Sequence, residues 1–199
     1  MHEIKAWIFD LDGTLTLAQH DFPAIRRELG IPAEEDILGY LARLPEKQAR
    51  ELSERLDAIE LRLAREVTPA PGAARLIRYL CARGNHVGIL TRNLHGVAVS
   101  SLDVLGIADC FAPEHVLGRA EALPKPDPAG IQHLLDLWSV SPQEAVMVGD
   151  FRFDLEAGRA AGCRTCLLHE HNGWPELADW HLPDCEGLLV YLERPANSR

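Results

Sequence analysis

The chain has 199 residues, of which 47% are hydrophobic and 25% are charged, and its formal net charge is -10. This composition is typical of one globular domain, or of one domain that carries a small inserted one. The negative charge argues against a protein that neutralises nucleic-acid phosphates. No apolar run approaches the roughly 20 residues that span a membrane, and the five cysteines are an odd number. We therefore expect a cytoplasmic protein with reduced thiols and neither a membrane nor a nucleic-acid partner.

The first part of the chain predicts one strand and a block of helices. An apolar run over 3–9 is typical of a buried strand. Capping residues and prolines then indicate three helices, over 21–29, 32–44 and 45–67. Apolar residues recur at helical spacing in the third of them, which predicts core packing. A segment rich in proline and glycine over 68–72 ends this block.

Helices and strands alternate through the rest of the chain. The predicted strands lie over 86–90, 110–112, 145–148 and 164–168, and the predicted helices over 73–83, 94–105, 128–138, 153–161 and 186–192. Strands separated by helices pair in parallel through right-handed crossovers, which predicts an α/β fold, a three-layer α/β/α sandwich with a parallel sheet. We expect a core domain over 1–16 and 70–199 and a helical domain over 17–69.

Two carboxylates, Asp10 and Asp12, follow the first strand and lead directly into Gly13 and Thr14. In a sheet flanked by helices, ligands bind at the carboxyl ends of the strands. A single residue between the two acids places their side chains on different sides of the strand axis, which suits them to different roles around one centre.

In three later segments, residues that can bind phosphate or a metal ion stand at the end of an apolar stretch or in a restrained loop. The strand over 86–90 ends in Thr-Arg-Asn, whose hydroxyl and backbone N–H groups could receive phosphate oxygens. A lysine stands between two prolines that restrict its backbone. The strand over 145–148 ends in Gly-Asp, with another aspartate four residues further on at helical spacing. The candidate residues in these segments are Thr91, Arg92, Asn93, Lys125, Asp150 and Asp154.

Taken in order, these motifs resemble those of the haloacid dehalogenase-like hydrolases, which are mostly phosphatases that form an aspartyl-phosphate. The segment 10–14 resembles the first family motif, Thr91 the second, Lys125 the third, and Asp150 with Asp154 the fourth. The resemblance covers nearly the whole chain. It implies a Rossmann-like core and a small α-helical cap domain inserted over 17–69, as in the phosphoglycolate phosphatase-like branch.

The same resemblance implies a Mg²⁺-dependent phosphatase that acts on a small phosphorylated metabolite. Asp10 is expected to attack phosphorus, and Asp12 to protonate the leaving alkoxide and then to activate water. The implied metal ligands are the side chains of Asp10 and Asp150 and the backbone carbonyl of Asp12, and Asp154 is expected to support them. The residues expected to bind phosphate are Thr91, Arg92, Asn93 and Lys125.

Other readings of these residues are possible. Asp12 disfavours a dehalogenase, because halide leaves without a proton. A sugar phosphomutase and a non-catalytic module that binds phosphate or protein are alternatives on the same fold. Cys163 and Cys166 have a zinc-like spacing, but their odd offset on a strand favours core packing on opposite faces. His20 and Arg152 could each contact substrate or make local surface interactions.

Overall fold

The computed structural model describes residues 3–18 and 21–194, and within them the chain forms one six-stranded sheet with helices on both faces. Neighbouring strands pair in parallel in the spatial order β3-β2-β1-β4-β5-β6. The strands are β1 Ala6–Phe9, β2 His86–Leu90, β3 Val116–Leu117, β4 Ala145–Gly149, β5 Arg164–Leu168 and β6 Trp180–Leu182. The predicted α/β fold is therefore confirmed.

Helices cover both faces of this sheet. They are α1 Phe22–Leu29, α2 Ile37–Leu41, α3 Glu46–Ala64, α4 Ala73–Ala82, α5 His95–Val104, α6 Ala129–Trp138, α7 Arg152–Ala160 and α8 Cys185–Glu193. In the central strand β1, Trp7 and Phe9 pack with α4, α5 and α8, whereas Ala6 and Ile8 pack with α6 and α7. Strand β1 is buried on both faces, as is usual in parallel sheets. Among the described residues, no helix is both long enough and apolar enough to cross a bilayer.

Helices α1 to α3 form a unit that we call the helical insertion, over residues 21–64. It has its own apolar cluster, which includes Ile25, Ile37 and Leu56. The chain segments that lead into and out of it run side by side, because Leu17 N donates to Thr68 O at 2.8 Å and Ala70 N donates to Leu15 O at 2.9 Å. The domain division at 17–69 stays a prediction, and His20 lies outside the described residues.

Two of the predicted elements were wrong or incomplete, and one strand was missed. The helix expected over 32–44 is only α2, because the Asp36 side chain accepts from Gly39 N at 2.8 Å and starts a helix there. The strand expected over 110–112 is absent, because one short 3-10 helix covers Ala108–Cys110 and a second begins at Pro113. The strand at this sheet edge is β3 instead. Strand β6 was not predicted, because it is a three-residue edge strand with half-exposed side chains.

Candidate active site

The end of β1 places Asp10 at the centre of the site. Asp10 N donates to Val148 O at 2.9 Å, so its backbone still continues the pairing with β4. The chain then turns sharply, and Leu15 N donates to Leu11 O at 2.9 Å. Gly13 permits this turn with a φ of +88°, and a Cβ at this position would lie 2.4 Å from Asp150 Oδ2. The turn therefore needs glycine both for its backbone and for the close approach of Asp150.

The end of β4 brings two more carboxylates beside Asp10. Asp150 follows the strand, and Asp154 lies in the first turn of α7, where its Oδ2 accepts from Phe151 N at 3.0 Å. A Cβ on Gly149 would lie 2.2 Å from Asp154 Cγ, so the bare backbone makes room for that side chain. One carboxylate oxygen from each of Asp10, Asp150 and Asp154 lies within 4.8 Å of the others. This follows from the direct pairing of β1 with β4.

Lys125 is the cation at this cluster. Its Nζ lies 2.5 Å from Asp10 Oδ1 and 2.6 Å from Asp154 Oδ1, and its side chain is only 2% exposed. Burial disfavours the charged ammonium, but the two carboxylates outweigh this effect and raise the pKa of Lys125. The lysine therefore remains charged, and it fixes the orientation of the Asp10 carboxylate.

The end of β2 supplies Thr91, Arg92 and Asn93. Thr91 Oγ1 accepts from Asn93 N at 3.1 Å, and Asn93 Nδ2 donates to Asp12 Oδ2 at 2.5 Å. The segment thus holds Asp12 from the side opposite β4. Arg92 lines the same cavity, but its Nη2 donates to both Asp36 oxygens at 2.8 Å, so its guanidinium is engaged by the helical insertion.

The carboxylates of this site carry more negative charge than Lys125 can balance. Burial raises the pKa of Asp10, with Lys125 opposing and Asp12 reinforcing the shift. Burial and the nearby Asp10 raise the pKa of Asp150 to about 8, and burial raises that of Asp154 to about 6. A hard divalent cation with oxygen ligands would relieve this excess, so the residues present fit Mg²⁺.

A cavity of about 490 Å³ extends from these carboxylates to the helical insertion. At the insertion end its walls combine apolar and charged side chains. The apolar residues that the insertion contributes include Phe22, Ile25, Ile37, Leu38 and Leu56, and the core adds Phe151 and Phe153. The cavity therefore has a polar end suited to phosphate and a mixed end that could hold the rest of a substrate.

Sequence reasoning missed Arg119 and Glu60, which join the core to the insertion beside this cavity. Glu60 Oε2 accepts from Arg119 Nη1 at 2.7 Å, and Glu60 is buried. The available signal was that Glu60 directly follows Ile59 on the apolar stripe of α3, an unusual position for a carboxylate. Arg152, in contrast, is exposed and pairs with Glu156 at 2.7 Å, so its side chain is engaged on the surface of α7.

The two cysteines with zinc-like spacing lie in different apolar layers. Cys163 packs in the layer of α6 and α7, and Cys166 packs in the layer of α4, α5 and α8. Burial raises the pKa of Cys163 to about 12 and also raises that of Cys166, so both remain thiols. Within the described residues, the group that could hold a metal is the Asp10, Asp150 and Asp154 cluster.

Known proteins resemble the chain in both sequence and structure. The family model described as haloacid dehalogenase-like hydrolase matches residues 7–168. An uncharacterized hydrolase of Saccharomyces cerevisiae is 34% identical over 97% of this chain and 93% of its own. A phosphoglycolate phosphatase of Rhodospirillum rubrum is 35% identical over 82% of this chain and 79% of its own. A solved hydrolase structure from Pseudomonas syringae has a TM-score of 0.79, covers 95% of this chain and 98% of that one, and at 22% identity supports the fold. The motifs, the family match and these relatives agree, and the protein is an enzyme that belongs to the haloacid dehalogenase-like hydrolases.

Proposed function

We propose that this enzyme is a Mg²⁺-dependent phosphatase that hydrolyses a small phosphate monoester through an aspartyl-phosphate on Asp10. The observation that carries the proposal is the position of Asp10. Asp10 lines the cavity and lies in one cluster with Asp150 and Asp154. Its Oδ1 is 2.5 Å from Lys125 Nζ. The phosphatase named among the relatives supports the same activity. The cysteines are free thiols, which supports a reducing compartment such as the cytoplasm.

The residues that would hold Mg²⁺ are the side chains of Asp10 and Asp150 and the backbone carbonyl of Asp12. Asp154 would support them through its contact with Lys125, at 2.6 Å. When bound, Mg²⁺ supplies positive charge that attracts the phosphate and stabilises the charge developing on its oxygens.

The protein groups then divide the chemistry between them. Asp10 attacks phosphorus with one carboxylate oxygen while Lys125 holds the other. Asp12 protonates the leaving alkoxide and later takes a proton from the water that hydrolyses the aspartyl-phosphate. Asn93 bonds one Asp12 oxygen and thereby orients the carboxyl group for both transfers. Thr91 and Lys125 stabilise the charge of the phosphoryl group in the transition state.

In this proposal the helical insertion acts as a cap, and it is the main part of the predicted domain over 17–69. It forms the far wall of the cavity and leaves the polar end to the core. Closure of such a unit excludes water and positions the substrate, so the cap would determine which alcohol can leave.

A turnover assay tests the proposal. Release of free phosphate from p-nitrophenyl phosphate and from a panel of phosphorylated metabolites is measured with Mg²⁺ and with a chelator. We expect metal-dependent release by the wild-type enzyme and a loss of at least about 10⁴-fold in Asp10→Asn. Asp136→Asn, a change of the same type at an exposed position on α6, is the matched control and should retain activity. Equal turnover by Asp10→Asn and wild type would exclude the mechanism, and transfer to a second sugar without free phosphate would indicate a mutase.

A further inference from the structure

Arg119, in the loop after β3, joins the core to the helical insertion. Its Nη1 donates to Glu60 Oε2 at 2.7 Å, and its Nη2 donates to Asp57, also on α3. The same Nη1 donates to the Arg92 carbonyl at 2.9 Å. The side chains of Arg119 and Glu60 are 12% and 9% exposed, so solvent and salt screen this contact little.

The backbone of Arg119 holds the segment that orients Asp12. Arg119 N donates to the Asn93 carbonyl at 2.9 Å, and the Asn93 side chain donates to Asp12 Oδ2 at 2.5 Å. Gly118 lets the two backbones approach, because a Cβ there would lie 2.6 Å from Asn93 O and 2.5 Å from His95 N. A continuous series of polar contacts therefore leads from α3 to Asp12.

We propose that Arg119 is a positioning residue that couples the seating of the helical insertion to the orientation of Asp12. The inference rests on the proposed function, because it assigns the consequence of this coupling to proton transfer by Asp12. With α3 seated, Asp57 and Glu60 hold the guanidinium against the Arg92 carbonyl. The segment 92–93 is then held by two contacts of Arg119, one from its side chain and one from its backbone N–H. When the insertion moves away, the guanidinium loses both carboxylates and the segment loses this brace. Proton transfer is then favoured only when the cavity is covered.

Burial of the acidic partner supports a role beyond stability. Burial raises the pKa of Glu60 to about 7, against the opposing charge of Arg119, so the fold maintains a carboxylate in a place that disfavours its charge. Hydrophobic residues of similar volume often stabilise such a position at least as well as a buried ion pair does. A role of Arg119 and Glu60 in positioning the segment 92–93 beside Asp12 explains why the charged groups are retained.

The dependence of the rate on the leaving group tests the coupling. p-Nitrophenolate leaves without a proton, whereas an alkoxide needs one from Asp12. The quantity to compare is kcat/KM, because it reports the departure of the alcohol without the later hydrolysis of the aspartyl-phosphate, a step common to both esters. In Arg119→Met we therefore expect kcat/KM for glycerol 2-phosphate to fall about 100-fold, as for a slightly misplaced catalytic group, and kcat/KM for p-nitrophenyl phosphate to fall much less. Equal losses of kcat/KM for the two esters would overturn the proposal.

A double variant separates positioning from stability. Arg119→Met alone leaves Asp57 and Glu60 without their cation, whereas Arg119→Met combined with Glu60→Gln removes the charge of Glu60, the buried one of the two. We expect the double variant to recover thermal stability but not kcat/KM for the alkyl ester. Recovery of both would show a merely structural role and would overturn the inference. Arg119→Lys keeps the charge without the planar fork and should recover the rate only in part.

Arg78 offers a matched control. Its guanidinium also bonds a carboxylate, Asp109, and a backbone carbonyl, that of Gly106 at 2.6 Å, but it is exposed, and these partners belong neither to the insertion nor to the segment 92–93. Arg78→Met should leave the ratio of the two kcat/KM values unchanged. A change of this ratio as large as that in Arg119→Met would contradict the assignment.

Hydrogen–deuterium exchange tests the coupling without any turnover. In the double variant, backbone amides over 92–94 and 56–60 should exchange faster than in wild type, and they should not do so in Arg78→Met. Unchanged exchange over 92–94 would overturn the coupling. If the wild-type enzyme released no phosphate but the exchange result held, the proposed function would fail and the contact between the insertion and the segment 92–94 would stand.

Discussion

The two ends of the cavity differ in how their charges are balanced. At the catalytic end, the acidic groups Asp10, Asp150 and Asp154 share one cation among the residues that the structure describes, Lys125. At the insertion end, the carboxylates that contact the core have arginine partners: Asp36 pairs with Arg92, and Asp57 and Glu60 share Arg119. The catalytic end therefore has a deficit of positive charge that a metal ion could supply. At the insertion end these carboxylates already contact arginines, so the contribution of the pairs is to hold elements in place.

Removal of Lys125 should have the largest effect, because it breaks the balance at the catalytic end. Lys125→Met leaves buried carboxylates without a cation, and we expect the free energy of unfolding to fall by about 3–5 kcal/mol, with loss of phosphate release. Urea denaturation measures the change. Lys5, whose side chain is 64% exposed and pairs with Glu144, is the matched control, and Lys5→Met should cost at most about 1 kcal/mol. Similar losses in the two variants would contradict the difference between buried and surface pairs.

The pH dependence of stability should reveal Glu60 at the insertion end. Burial, opposed by Arg119, raises the pKa of Glu60 from 4.5 to about 7. Between these pH values the folded protein holds a proton that the unfolded chain has lost. The contribution of Glu60 to the free energy of unfolding therefore falls as pH rises through this window, by about 3 kcal/mol in total.

Glu60→Gln removes this titration, so the difference in unfolding free energy between wild type and variant should change from pH 4.5 to 7 and level off above it. Urea denaturation at a series of pH values measures that difference. Glu54→Gln, at an exposed position of the same helix, provides the control. Its unfolding free energy should depend on pH as that of the wild type does. A Glu60→Gln curve that is also parallel to wild type would refute the prediction.

A methyl group at Gly13 should disturb the metal site more than the fold. The Cβ in Gly13→Ala would meet Asp150 Oδ2 at 2.4 Å and displace a proposed ligand. We expect the apparent affinity for Mg²⁺, measured by titration of activity, to fall about 10–100-fold. Gly30 has a similar positive φ of +70°, but a methyl group there would meet no atom within 4 Å, so Gly30→Ala tests backbone strain alone. Equal Mg²⁺ affinity in the two variants would argue against Asp150 as a ligand.

The catalytic end could be predicted from the sequence because it depends on a local rule. Each parallel strand ends at the same edge of the sheet, so residues just after β1, β2 and β4 must meet. Asp10, Asn93 and Asp150 obey this rule, and the structure brings them to one cavity. Lys125 is restrained by its prolines, and its contacts with Asp10 and Asp154 place it there as well.

The insertion end could not be predicted, because its contacts join residues that are distant in sequence. The role of Arg92 in phosphate binding stays a prediction, and its contact with Asp36 depends on where α2 starts. The hydrogen bond from Gly39 N to the Asp36 side chain sets this start, whereas the proline at position 32 had predicted an earlier start of the helix. Glu60 and Arg119 are 59 residues apart, and no local pattern relates them. Strand β6 has too few residues and too little burial to give a periodic signal.

The smallest predicted effect compares two capping residues of the insertion, Asp36 and Asp21. Each side chain accepts from the backbone N–H three residues later at 2.8 Å, so replacement of either by alanine should cost about 1 kcal/mol of stability. Asp36 also pairs with Arg92 in the core, a half-exposed contact that adds at most about 1 kcal/mol. Asp36→Ala should therefore raise KM severalfold beyond any change in Asp21→Ala, with kcat less affected, because it loosens the insertion without touching Asp10 or Asp12. Michaelis constants for p-nitrophenyl phosphate check this, and an identical KM in the two variants would mean that the Asp36 contact does not help to hold the insertion over the cavity.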